Sequence, residues 1–191
     1  MRAETLRRPI ALAGWCGVTL ALALGCDMPA HVRATRDAPL FDDVTNIMAS
    51  MRAKPWLNFD PGNPTKVNGI VMNLYLISGS TRKGVFGAGT IRVIMYEDLS
   101  GAGGGKAQSD ANKATGQKLF EWELPPEQAM PYRVVRRPDK TYVMGDGYQL
   151  RLSWGDADLV DKRAAVVLEY QRADGQIVRR KPFWVKIPRA A

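Results

Sequence analysis

Histidine and cysteine are almost absent from this chain of 191 residues, which contains one histidine and two cysteines. The histidine, His31, lies in a polar stretch without the neighbouring thiols, carboxylates or imidazoles that a metal site or acid–base catalysis requires. The serines therefore lack a candidate base in the body of the chain, and no pair of carboxylates can be placed together by spacing. This shortage predicts that the protein is not an enzyme and holds no metal.

The apolar run near the N-terminus is too short to cross a bilayer. It covers residues 10–24, which is 15 residues, whereas a transmembrane helix needs about 20. It follows Arg2, Arg7 and Arg8 and ends in small residues, an order typical of a secretion signal. Residues 1–25 are therefore predicted to be a signal peptide that is removed on export.

The leader ends in Leu22-Ala23-Leu24-Gly25-Cys26, which resembles the lipobox of bacterial lipoprotein precursors. The resemblance implies acylation of the Cys26 thiol, with palmitate among the acyl chains, and cleavage before it. Two or three acyl chains would hold the protein firmly on a membrane, facing the periplasm or the cell exterior. Cys16 is a poorer site because the large Trp15 precedes it. Ordinary cleavage near Ala30 and an uncut signal anchor are the alternatives, and the sequence leaves open which membrane is used.

The mature chain keeps a basic balance and a single cysteine. Removing residues 1–25 takes away three arginines and one glutamate and leaves a net charge of +6. Such a charge fits anionic headgroups or envelope polymers, and export excludes nucleic acid as a partner. With Cys26 alone, no intramolecular disulfide can form. The basic side chains predicted to line one side are Arg133, Arg136, Arg137, Lys140, Arg179, Arg180, Lys181 and Lys186.

The domain organisation follows from the spacing of apolar and turn-forming residues. Residues 26–57 are predicted to be a lipid-anchored tether, with a short helix at 40–53 because Val44, Ile47, Met48 and Met51 recur at helical spacing. Residues 58–191 are predicted to be a single β-domain. Within it, residues 98–117 lack large apolar side chains after Leu99 and are predicted to be a flexible arm.

Alternating apolar residues place strands at 69–77, 90–96, 118–124, 148–154, 164–172 and 177–187. Asp174-Gly175 predicts a hairpin between the last two, and Pro182 predicts an edge position. This pattern predicts an all-β fold, a single antiparallel β-sandwich, with an open β-barrel as the alternative. Gly147-Tyr148-x-Leu150-x-Leu152-x-Trp154 followed by a hairpin resembles the immunoglobulin-like or C2-like sandwiches of small exported lipoproteins, which implies no particular activity.

Four residues are candidates for ligand binding. Asp156, Asp158 and Asp161 cluster in one loop, as calcium-binding carboxylates do. Calcium needs six to eight oxygen ligands, however, and the alternative is that these aspartates lie in a solvated turn without a bound ion. Trp184 points away from Phe183 and Val185, so it is either a glycan-stacking platform or a cover for the outer sheet face. No cofactor is predicted, since the glycine-rich stretch at 100–107 lacks the first glycine and the final hydroxyl of a phosphate-binding loop. The predicted role is structural or binding, with glycan or calcium binding as the alternative.

Overall fold

The computed structural model describes residues 36–98, 116–135 and 144–189. These residues form strands in two sheets, one of which curls into a half-barrel, so the predicted all-β class is confirmed. A helical turn, α1 (Pro126–Ala129), and a 3-10 turn (Met130–Tyr132) link the second sheet back to the first. The predicted signal peptide, Cys26, His31 and most of the arm predicted at 98–117 lie outside the described residues.

The first sheet is built around its longest strand. Its members are β1 (Leu40–Phe41), β2 (Val44–Ser50), β3 (Trp56–Leu57), β4 (Gly69–Ser78), β5 (Gly84–Gly87), β8 (Arg133–Val134) and β9 (Gly147–Ser153). Strand β4 pairs with β2 and β3 along one side and with β9 and β5 along the other. Strand β4 is therefore central in this sheet, and residues on both of its faces, such as Met72 and Tyr75, are buried.

One pairing departs from the predicted antiparallel arrangement. Strand β1 pairs with β5 in parallel, Leu40 opposite Phe86 and Phe41 opposite Gly87. Both β2 and β5 are antiparallel to β4, so they run in the same direction as each other. Because β1 leads into β2 after two residues, it runs parallel to β5 as well.

The second sheet contains β6 (Thr90–Glu97), β7 (Lys118–Leu124), β10 (Arg163–Gln171), β11 (Ile177–Arg179) and β12 (Phe183–Lys186). The hairpin predicted at Asp174-Gly175 joins β10 to β11, and Gly175 has a φ of 83°. The single strand predicted for 177–187 is wrong in part, because it divides into β11 and β12 around Pro182, which has no backbone N–H for the ladder. Both parts pair with β10 at the edge of the sheet, as Pro182 predicts.

The helix predicted at 40–53 is wrong, because this segment forms β1 and β2. A β-bulge between Val44 and Asn46 adds one residue to β2, and the extra residue puts Val44 and Ile47 on the same buried face. The bulge therefore imitates the three-residue spacing of a helix. The tether predicted at 26–57 is also too long, since β2 and β3 pair with β4 and Val44 is fully buried in the core.

Both sheets contribute side chains to one hydrophobic cluster. The inward residues of β9 follow the predicted alternation, with Tyr148, Leu150, Leu152 and the adjoining Trp154 all buried. The chain crosses from the first sheet to the second between β5 and β6. There the Tyr148 hydroxyl accepts a hydrogen bond from the Gly87 N–H at 3.0 Å, and the Tyr170 hydroxyl accepts one from the Gly89 N–H at 2.7 Å. One tyrosine from each sheet thus fixes this corner.

Candidate functional site

The three aspartates predicted as a calcium cluster are each engaged elsewhere. Asp156 Oδ1 lies 2.8 Å from Lys66 Nζ, and this hydrogen bond is the main cause of a lowered pKa at Asp156. Asp161 Oδ2 lies 2.6 Å from Arg189 Nε, and Asp158 Oδ1 accepts a hydrogen bond from the Val160 N–H. Within the described parts of the chain, no group of three or more histidine, cysteine or acidic side chains is placed to hold a metal ion. The loop geometry thus matches the solvated turn better than a calcium site.

The tryptophans differ sharply in exposure. Trp154 is buried, and the half-buried Trp122 donates its indole N–H to the Ser153 carbonyl at 2.7 Å. Trp184 is 48% exposed. It pairs with Ala165 of β10, which pairs in turn with Tyr96 of β6, so all three lie on the outer face of the second sheet. Trp184 is therefore available for contact with a ligand or a surface.

An ion-pair network centred on Glu169 and Arg92 lies on the same outer face, four residues along β10 from Ala165. The Glu169 side chain, only 5% exposed, contacts Arg179 at 2.6 Å and Arg92 at 3.5 Å. Arg92 also pairs with Glu121, and this contact raises the pKa of Arg92. The pKa of Glu121 is lowered, chiefly by its hydrogen bond to Lys118 and also by Arg92. Because each charge in the network faces an opposite charge, the network holds the strands together without leaving a charge for a ligand.

The edges of the two sheets meet where residues 49–51 contact Arg180 and Phe183, and we call the two segments 49–54 and 180–186 the seam. Arg180 lies between β11 and β12, and its Nη1 donates a hydrogen bond to the Ala49 carbonyl of β2 at 2.8 Å. The guanidinium also lies over the Phe183 ring, 5.5 Å from its centroid. A pocket of about 210 Å³ opens here, and its lining is Ala49, Ser50, Met51, Arg180 and Phe183. The seam thus combines an apolar pocket with a cation at its wall.

The predicted basic side is divided by the fold. Arg133 is buried, with its guanidinium 5.0 Å from the Phe86 ring centroid, so it does not belong to a basic surface. Arg136, Arg137 and Lys140 lie outside the described residues. Arg180, Lys181 and Lys186 lie along the seam, where the first segment adds Arg52 and Lys54. Sequence reasoning missed Arg52 and Lys54 because they follow a strand that was predicted to be a helix in a tether.

Comparisons with protein-family models, with curated proteins and with solved structures found no match to the chain. Within the residues that the structure describes, no helix is both long enough and apolar enough to span a membrane. The chemistry of the chain's own residues therefore carries the functional inference.

Proposed function

We propose that this chain is the precursor of an exported bacterial lipoprotein with a non-enzymatic binding or structural role in the cell envelope. Acyl chains on Cys26 would anchor it to a membrane, with the domain facing the periplasm or the cell exterior. The observation that carries this proposal is the sequence Leu22-Ala23-Leu24-Gly25-Cys26 at the end of a basic and then apolar leader. The seam, with its exposed cations and apolar pocket, supports a role in binding.

We assign the two-sheet domain to the β-sandwiches, of immunoglobulin-like or C2-like type. Two features support this assignment: the hydrophobic cluster shared by both sheets, and the burial of Tyr148, Leu150, Leu152 and Trp154 along β9. The curl of one sheet supports the open barrel as the alternative.

Metabolic labelling with an alkyne fatty acid tests the anchor. Cells that produce the wild-type chain should give a labelled protein in the membrane fraction, and Cys26→Ala should abolish the label. Cys16→Ala is the matched control, since it removes the other thiol of the chain and should leave the labelling unchanged. Equal labelling of wild type and Cys26→Ala would defeat the proposal.

Glycan binding is the second candidate function, and the exposed Trp184 favours it. An exposed indole can stack on the apolar face of a sugar ring, and Tyr96 lies two strands away on the same face. Calorimetry of the mature protein with envelope polysaccharides should then show heat of binding that Trp184→Ala removes. Trp56→Phe, a change at a half-buried tryptophan of the first sheet, is the control and should keep the binding. Heat that Trp184→Ala leaves unchanged would exclude this site.

A further inference from the structure

The two segments of the seam carry positive charge and contain no acidic residue of their own. No acidic residue occurs at 44–59 or at 175–189. Arg52, Lys54, Lys181 and Lys186 are exposed and make no ion pair with any described residue. Arg179, by contrast, is neutralised by Glu169. The charge at the seam thus differs in kind from the balanced network on the outer face of the second sheet.

Apolar side chains lie among these cations. Trp184 stands between Lys181 and Lys186 in the sequence and is half exposed on the outer face of the second sheet, while Met51, Arg180 and Phe183 line the pocket. Tryptophan at the level of the headgroups, with lysine and arginine reaching toward phosphates, is the pattern of surfaces that lie at a membrane–water interface. A dry cavity of about 150 Å³ lined by apolar side chains binds benzene. The larger pocket of the seam therefore has room for a small apolar group.

We propose that the seam docks on the anionic phospholipid headgroups of the membrane that holds the anchor. This inference rests on the proposed function, since export and acylation keep the domain beside a bilayer. Strand β1 begins at Leu40, so residues 27–39 connect Cys26 to the domain. Thirteen residues reach at most about 45 Å, and a tether of this length gives the seam a high effective concentration at the bilayer surface.

Lysine footprinting on the purified native protein tests the docking. The protein is mixed with vesicles of phosphatidylcholine, with or without phosphatidylglycerol, the vesicle-bound fraction is collected by flotation, and amine acylation is quantified by mass spectrometry. Lys54, Lys181 and Lys186 should react about five-fold more slowly on anionic vesicles than on neutral ones. The attraction of one lysine to an anionic surface favours the docked state by about that factor. Lys83 and Lys118, which lie on other parts of the domain, should react at unchanged rates.

Equal rates on both kinds of vesicle would overturn the proposal. Protection that is already present without vesicles would also overturn it, because a second copy of the chain or another protein would then be the occupant. Absence of the protein from the fraction bound to anionic vesicles would overturn the proposal as well. The mass of the N-terminal peptide in the same digest reports acylation of residue 26 separately, so an unmodified thiol would defeat the proposed function while the lysine rates still decide the docking.

A pair of charge variants links the protection to the seam. Lys181→Gln combined with Lys186→Gln removes two exposed cations, and protection of the untouched Lys54 should fall to the level seen on neutral vesicles. Lys83→Gln combined with Lys118→Gln makes the same change in net charge elsewhere and should leave Lys54 protected. The same loss of protection in both pairs would show a response to net charge alone and would refute docking through the seam.

Discussion

Removing the hydroxyl of Tyr170 is a sharp test of how the two sheets are joined. This tyrosine is fully buried, and its hydroxyl is the acceptor for the buried Gly89 N–H at 2.7 Å. Tyr170→Phe keeps the ring in the core and leaves that N–H without its partner. An unsatisfied buried donor costs about 1–3 kcal/mol, so the free energy of unfolding should fall by that amount. For a domain of this size the melting temperature should fall by about 2–4 °C for each kcal/mol.

Urea denaturation of the chain without residues 1–25, followed by circular dichroism, measures this change. The midpoint should fall while the slope stays constant, because the surface exposed on unfolding is the same. Tyr132→Phe is the matched control: Tyr132 is half-buried and has no hydrogen-bond partner for its hydroxyl among the described residues, so its midpoint should move little. If both variants were equally stable, the corner between β5 and β6 would be held by packing alone, and the assignment of a clamping role to Tyr170 would be refuted.

Three further predictions concern burial, charge and backbone. Burial raises the pKa of Tyr148 to about 12, so the hydroxyl loses its proton at lower pH in the unfolded chain than in the folded one. The free energy of unfolding should therefore fall by up to about 3 kcal/mol as pH rises from 10 to 12. A denaturation series against pH should show that this part of the loss is missing in Tyr148→Phe. Glu169→Gln removes the buried carboxylate that Arg92 and Arg179 share. Because Arg179 is 55% exposed and Arg92 keeps its pair with Glu121, the free energy of unfolding should fall by about 1.5 kcal/mol. Glu123→Gln, at an exposed position, should change it by less than about 0.5 kcal/mol, and equal urea midpoints for the two variants would show that the network is not stabilising. Gly175→Ala puts a side chain at a φ of 83° and should lower the free energy of unfolding by about 1 kcal/mol. An unchanged melting temperature would mean that the turn relaxes.

The strands that could be predicted from the sequence are those whose burial pattern is uninterrupted. Strand β9 alternates strictly, β4 is apolar on both faces, and Asp174-Gly175 sets the register of one hairpin, so local rules are sufficient for each of them. Strand β2 could not be predicted in this way. One extra residue at its bulge changes the period from two to three, and a three-residue period is the signature of a helix.

The candidate site could be predicted only in part, because its contacts join distant segments. The exposure of Trp184 follows from the alternation of side chains along β12, which puts Trp184 on the face opposite Phe183 and Val185 and is a local property. The contact between Arg180 and Ala49 joins residues 131 positions apart. No periodicity within either segment indicates that they meet, since the meeting depends on which strands lie at the two sheet edges. For the same reason, the pairing of Arg92 with Glu169 becomes visible only when β6 and β10 are in register.

The features that protect the seam also restrict how it can bind. An exposed strand edge invites another strand unless its backbone groups are blocked. Here the Ala49 carbonyl of β2 is occupied by Arg180, and Pro182 interrupts the other edge without offering an N–H. Lysines at 181 and 186 add charge that a hydrophobic strand would have to bury. Strand addition by a partner is therefore disfavoured along the seam, and contact through side chains with a charged and partly apolar surface is the mode of binding that these edges permit.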